Sequence, residues 1–381
     1  MFYFEVDKAL LEKIGNFRIN GNIIEFSDIS DKKAQRKFNM LLSKGFIHLK
    51  NRLNNKRTIY VHKNSGIPLM GTNYFGLIDR GTNIIEVKPI TSCNLGCIYC
   101  SVDEGPLSRR KVDFIVEKDY IVQELKKLVD YKEEGYIDIH INSQGEPTLY
   151  ADMADLVRDI AEFPQVKVIS IDTNGTLLTE KLIDELADAG LTRINLSLNA
   201  LDQEIADKMA GFPYNLKKAM KLAEYIPKKM DLIIAPVWLP GYNDGEIVKL
   251  AKFAREVGAG KNCPPIGIQN FLPYRFGRNP VNPVEMEDFY KRLRELEQKN
   301  GVKLIYNSGF VIKECKELPK PFKKGDVVKA RIVCPGRLNK EMLAVASERL
   351  ISVPNCDKEE GYVTVKIKRT KHNIFLGEML N

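Results

Sequence analysis

No stretch of about 18 apolar residues occurs in the chain, which excludes a membrane-spanning helix. The opening residues, MFYFEVDKALL, carry acids where a secretory leader would carry bases, so no signal peptide is expected. Histidine is scarce, with four in 381 residues, so an imidazole-built metal site has little to draw on. What is present is ordinary for a folded chain, with 44% hydrophobic and 28% charged residues. The length allows more than one domain, or one large α/β domain with additions.

The seven cysteines are unevenly spread. Cys93, Cys97 and Cys100 fall within the run Thr-Ser-Cys-Asn-Leu-Gly-Cys-Ile-Tyr-Cys-Ser, a C-x3-C-x2-C spacing. Three is odd and no leader is expected, which argues against disulfides. Zinc wants four ligands, and no fourth Cys or His is near; His62 and His140 lie well outside the run. Polar Asn94 and Gly96 between the thiols do not suit core cysteines. Three thiolates in one loop can hold three irons of a [4Fe–4S] cube and leave the fourth open, whereas an electron-transfer cluster is normally closed by a fourth Cys. Such chemistry implies a reducing, cytoplasmic setting.

From about residue 84 to 300, strand-like and helix-like segments alternate. Short Ile/Val-rich runs at 84–90, 137–141, 166–171, 193–198, 232–239 and 266–272 read as buried parallel strands. Helical patterns occupy 112–131, 151–163, 179–189, 215–225, 244–257 and 283–299. Six βα repeats predict an α/β fold, a partial (β/α)6 TIM-type barrel. Functional groups in such folds gather at the C-terminal ends of the strands, and the cysteines directly follow the first one.

The cysteine spacing in this context resembles the radical S-adenosylmethionine (SAM) superfamily, and the resemblance covers residues 81 to about 300. It implies that the open iron chelates SAM, and that the reduced cluster cleaves it to a 5′-deoxyadenosyl radical. It also implies a one-electron donor such as ferredoxin or flavodoxin. Ser143-Gln144-Gly145-Glu146-Pro147 resembles the family's "GGE" segment for the SAM amino group, with Gln144 where the first glycine usually stands. By the same resemblance Thr173 or Asn174, and Ser197 and Asn199, would contact the SAM carboxylate or ribose, while Tyr99, Gln269 and Leu272 would lie near the adenine. Asn174-Gly175 is equally a good turn, and the Tyr99 ring could be ordinary packing.

Charge is uneven. Residues 1–80 hold 14 Lys/Arg against 7 Asp/Glu, and residues 320–381 hold 13 against 7, around a mildly acidic middle. Basic flanks suggest a polyanionic partner, although a lysine-rich surface that merely solvates gives the same count. Within 1–80 a helix at 31–43 precedes strands at 46–50 and 58–62 across Asn54-Asn55, an arrangement resembling a winged-helix module. Residues 320–381 show period-two strands at 325–334, 342–351, 361–368 and 373–379, a small antiparallel barrel similar to TRAM and OB-type modules. The expected domains are therefore 1–80, the radical SAM core 81–319, and the barrel 320–381.

Two further features carry expectations. Cys263, Cys315, Cys334 and Cys356 could form a second Fe–S or metal site, but with long separations and no C-x2-C pair, dispersed core residues are the plainer reading. Tyr274-Arg275-Phe276-Gly277-Arg278 suits substrate contact, or a loop anchored onto the acidic core. The sequence thus predicts a radical SAM enzyme, an Fe–S oxidoreductase or transferase, acting on RNA such as tRNA by methylation, methylthiolation or a related step. The alternative is a protein or small-metabolite substrate with the flanks as docking modules. A non-enzymatic Fe–S RNA-binding protein is the third reading.

Overall fold

The computed structural model describes residues 2–142, 144–306 and 309–380. Its centre is a curled sheet whose five parallel strands are Ile84–Lys88, Ile137–Ile141, Val166–Thr173, Arg193–Leu196 and Asp231–Ile234. Gly76–Asp79 adds an antiparallel edge strand to the first. Beyond the fifth strand, a parallel bridge from Ile234 to Ile266 and the short pair Val237–Trp238 with Gln269–Asn270 carry the curl onward. This is the α/β partial barrel the repeats predict. Among the described residues no helix is long and apolar enough to cross a membrane.

Each strand separates two environments because successive side chains point to opposite faces. In the second strand Ile137, Ile139 and Ile141 are fully buried against the helices, and Asp138 and His140 face inward. The third and fourth repeat the pattern with Ser170 and Asp172, then Arg193 and Asn195. The outer faces are covered by amphipathic helices. Met153–Ala161 shows how: Met153, Leu156, Val157 and Ile160 form one buried stripe at helical spacing, each contributing about 1.5–3 kcal/mol by leaving water. Helix Glu180–Asp188 starts where the Thr179 side chain accepts from the Leu182 N–H, and Gln203–Ala210 where Asp202 accepts from Ile205.

The chain departs from the sequence reading at several places. The segment 112–131 is a strand, Val112–Val116, and then helix Lys118–Lys132; the alternation Val-Asp-Phe-Ile-Val with Val112, Phe114 and Val116 buried decides for strand. That strand pairs in parallel with Arg57–Val61. The N-terminal helix runs Asp31–Gly45, but Phe46–His48 continues it as one 3-10 turn, which leaves Lys50–Asn51 as the first hairpin arm, paired to Arg57–Val61 through Lys50 and Arg57 and to Phe2–Tyr3 on its other side. Sheet pairing therefore runs across the boundary expected at residue 80. Helix Gln203–Ala210 and the hairpin Phe17–Asn20/Ile23–Phe26 add to the elements expected from the sequence.

The C-terminal region is a closed five-stranded barrel. Its strands are Val327–Pro335, Met342–Ala346, Arg349–Val353, Tyr362–Arg369 and Phe375–Met379. The expected strand at 342–351 is broken by Ser347 and Glu348, both at positive φ, into a tight hairpin. The barrel is not wholly antiparallel, since its third and fifth strands pair in parallel through Ile351 and Phe375.

Candidate active site

The cysteine loop leaves the first parallel strand and is held from three sides. Asn51, fully buried, donates to Ser92 Oγ at 2.8 Å and Asp113 at 2.7 Å, so the N-terminal segment fixes the residue before Cys93. On the other side the Gly96 and Ile98 N–H groups donate to the carbonyls of Ala210 and Met209 at 3.0 and 3.1 Å. Gly211, at φ 69° with its Cα against the Gly96 carbonyl, ends that helix where any Cβ would sit 2.2 Å from the oxygen. Arg278 closes the third side, donating to the Cys97 carbonyl at 2.9 Å, the Glu104 carbonyl at 2.7 Å and Asp103 Oδ1 at 2.8 Å.

Cys93, Cys97 and Cys100 line one cavity of about 350 Å³, and no other cysteine lines it. Burial pushes all three thiols above their usual range, Cys97 to about 12; the Tyr99 hydroxyl and the Arg278 charge work against this at Cys97. The Glu104 N–H also donates to Cys100 Sγ at 3.3 Å. Among the described residues no group of three His, Cys, Asp or Glu is gathered tightly enough for a single ion. Three thiols around one void, a nearby cation and an N–H aimed at sulfur fit an anionic cluster held by thiolates, with no fourth cysteine to close it.

Most of the expected SAM residues meet in the same cavity: Tyr99, Gly145, Glu146, Thr173, Asn174, Ser197, Asn199, Gln269 and Leu272 all line it. Pro147 does not. It is buried at the start of the single turn Pro147–Leu149. Ser143 lies outside the described residues. Glu146 is less free than an ammonium-binding role suggests. One carboxylate oxygen accepts from Thr148 N–H at 3.1 Å, Thr148 Oγ1 at 2.5 Å and Thr173 Oγ1 at 2.6 Å; the other accepts from Asn174 N–H at 2.8 Å. The Tyr99 hydroxyl accepts from Asn199 at 2.7 Å, so that ring is fixed by its polar end.

Gly145 is required for contact. Its Cα packs on the backbone before the cysteines, and a Cβ would lie 2.1 Å from the Ser92 carbonyl oxygen. Gly145→Ala must push the two loops apart, and we expect SAM affinity, measured by equilibrium dialysis on the reconstituted enzyme, to fall about tenfold or more.

The structure does not bring Cys263, Cys315, Cys334 and Cys356 together. Cys263 packs with Ile233 and Ala235, Cys334 joins the main core, Cys356 lies inside the C-terminal barrel, and Cys315 sits half-buried beside Lys313. Of the 274–278 segment, Tyr274 lines the cavity, Arg275 lies over the Phe276 ring at 5.1 Å, and Arg278 is committed to the cysteine loop, the anchoring role. Sequence reading gave no role to Glu104 or Tyr214, which also line the cavity. No local pattern marks Tyr214, whose hydroxyl donates to the Asn174 carbonyl at 2.8 Å.

Comparison with known proteins gives the family. The model of the Radical SAM superfamily matches residues 87–254. An uncharacterized protein of Methanocaldococcus jannaschii is 42% identical over 361 residues, covering 87% of this chain and 83% of its own. A probable GTP 3′,8-cyclase of Pyrococcus horikoshii is 31% identical over 233 residues, covering 58% of this chain and 67% of its own. Among solved structures, Streptococcus suis SuiB bound to S-adenosylmethionine aligns with a TM-score of 0.45 at 17% identity, over 72% of this chain and 55% of that one. Fold and site define an iron–sulfur enzyme of the α/β partial-barrel type. The chain belongs to the radical SAM superfamily. Its cofactors are a [4Fe–4S] cluster and SAM, which when bound supply reductive carbon–sulfur cleavage and hydrogen-atom abstraction. The chain's own residues orient these groups and wall the cavity.

Proposed function

We propose that this enzyme modifies RNA, with Cys93, Cys97 and Cys100 holding the cluster, the cavity residues named above holding SAM, and ferredoxin or flavodoxin delivering the electron in the cytoplasm. One observation carries the RNA reading. On the C-terminal barrel, Ala330 and Ile332 point inward from the first strand, and Val363, Val365 and Ile367 from the fourth. Outward, Lys329 faces Thr364, Arg331 faces Tyr362, and Lys366 faces Val327. Lys329 Nζ lies 4.9 Å from the exposed Tyr362 ring. Glu378 pairs with Lys368 and also faces Lys366 across the strand pair, whereas Lys329 and Arg331 have no acidic partner among the described residues. Uncompensated cations around an exposed aromatic suit phosphate contact with base stacking. The strand order supports the TRAM/OB-like reading of the barrel. The exposed Lys32, Lys33, Arg36 and Lys44 of the N-terminal helix supply a second basic surface, consistent with a winged-helix-like role.

Filter binding tests this. Wild type should retain bulk tRNA with an affinity that falls steeply with salt. Replacing Lys329, Arg331 and Lys366 together by Ala should flatten the log–log salt slope by about 2–3. Retention that ignores salt, or none at all, would sink the RNA reading. A small-molecule substrate is the second reading, favoured by relatives such as the probable GTP 3′,8-cyclase. Formation of 5′-deoxyadenosine stimulated by GTP without RNA would select it.

A further inference from the structure

Three carboxylates line the cavity: Glu104, Glu146 and Asp172. Two are already engaged. Glu104 is paired with the buried guanidinium of Arg337, and Glu146 is tied to Thr148, Thr173 and Asn174. Asp172 differs. It points inward from the third strand, whereas the hydroxyl of its neighbour Thr173 is spent on Glu146.

Its two partners reach it from neighbouring strands. Oδ1 accepts from Asn195 Nδ2 at 2.8 Å, and Oδ2 lies 2.9 Å from His140 Nε2. His140 in turn has Nδ1 at 3.1 Å from Ser170 Oγ, one layer deeper in the barrel. The deeper inner-face charges are matched among themselves. Glu86 pairs with Lys88 at 3.1 Å and with Arg80, and Asp138 with Arg193 at 3.4 Å. Those four inward groups, Glu86, Lys88, Asp138 and Arg193, are at most 9% exposed, while the Asp172 side chain is 44% exposed. A carboxylate offers about four acceptor sites, so two bonds leave capacity on the cavity side.

We propose that Asp172 is a substrate-binding residue: it accepts a hydrogen bond from a hydroxyl or a protonated nitrogen of the substrate, with His140 as the positioning residue that holds its carboxylate. Charge agrees with the geometry. Loss of bulk water around the cavity wall works against ionisation of Asp172, but the His140 charge and hydrogen bond and the Asn195 amide outweigh it, and the carboxyl lies below its usual range. A phosphate or carboxylate would be repelled here, so the group that enters is a donor. Ribose or base of an RNA nucleotide and a small hydroxylated or aminated metabolite both present one. The inference does not rest on the RNA reading.

The test uses the reconstituted enzyme, SAM and dithionite, with an extract of source cells lacking the gene, divided into RNA and small-molecule fractions, as the probe. Wild type should form 5′-deoxyadenosine faster with one fraction. Asp172→Asn keeps the shape but presents an amide; it should lower that stimulated rate about 30-fold, with SAM affinity within about threefold of wild type. Asp172→Ser serves if iron content shows that the amide variant misfolds. His140→Gln should raise the half-saturating amount of the active fraction without lowering the maximal rate. Stimulation by RNA alone supports both readings; stimulation by small molecules alone overturns the RNA reading and leaves Asp172 standing. The proposal is overturned if the stimulated rate survives Asp172→Asn, if SAM affinity falls by the same factor as the rate, or if neither fraction stimulates wild type.

Discussion

Cys97→Ala should abolish SAM cleavage and empty the enzyme of iron. Wild type, reconstituted without oxygen, should hold about four irons and four sulfides per chain; the variant should fall to background in both, with no 5′-deoxyadenosine above blank. The reason is geometric. Only Cys93, Cys97 and Cys100 reach the cavity, so no spare thiol can take over. Cys315→Ala, by contrast, should leave the iron count unchanged, because Cys315 is half-buried beside Lys313 outside the cavity. A wild-type count near eight would mean that the dispersed cysteines gather around a second cluster after all.

Arg337→Met should be the most destabilising single change outside the cysteine loop. Arg337 sits in the turn after the first strand of the C-terminal barrel and is 1% exposed. It bonds the Glu104 carboxylate, Asp113 Oδ1 at 3.0 Å and the Val112 carbonyl at 3.0 Å. Removing it leaves two carboxylates buried without their cation, which costs about 3–5 kcal/mol. Thermal unfolding should shift down on the order of 5–10 °C. The loss has a predictable pH dependence. Burial already lifts the Glu104 carboxyl from 4.5 to about 7 despite the Arg337 charge, so its folded form takes up a proton more readily than its unfolded form. A raised carboxyl weakens the fold as pH rises through that value. Without Arg337 the upward pull grows, and the gap between variant and wild type should widen from pH 6 to pH 8. A gap that narrows over that range would mean the carboxylates find another cation.

Much of the site was legible because cysteine spacing and strand-end motifs are local. The C-x3-C-x2-C run, the Gly145-Glu146 pair and the polar ends of strands three and four are contiguous signals, and their residues line one cavity. What escaped depended on distant partners. The 274–278 segment suits either substrate contact or an anchored loop, and only tertiary structure decides for Arg278, whose hydrogen bonds go to the cysteine loop. Asp172 was within reach. Ile-Ser-Ile-Asp and Ile-Asp-Ile-His alternate with period two, which marks a polar inner face, although their Ile content also matches a continuous buried strand. The strand at Val112–Val116 was hidden because its partner, Arg57–Val61, lies on the far side of the cysteine loop in sequence.

The bond from Asn51 to Ser92, together with the strand that Arg57–Val61 lends to Val112–Val116, bears on how the protein can be dissected. A chain begun at residue 81 would forfeit both, along with the edge strand Gly76–Asp79. Failure of such a shortened polypeptide to capture nucleic acid would then record a spoiled catalytic half, and would say nothing about where the missing half makes its contacts. Surface substitutions in the intact chain are the informative route.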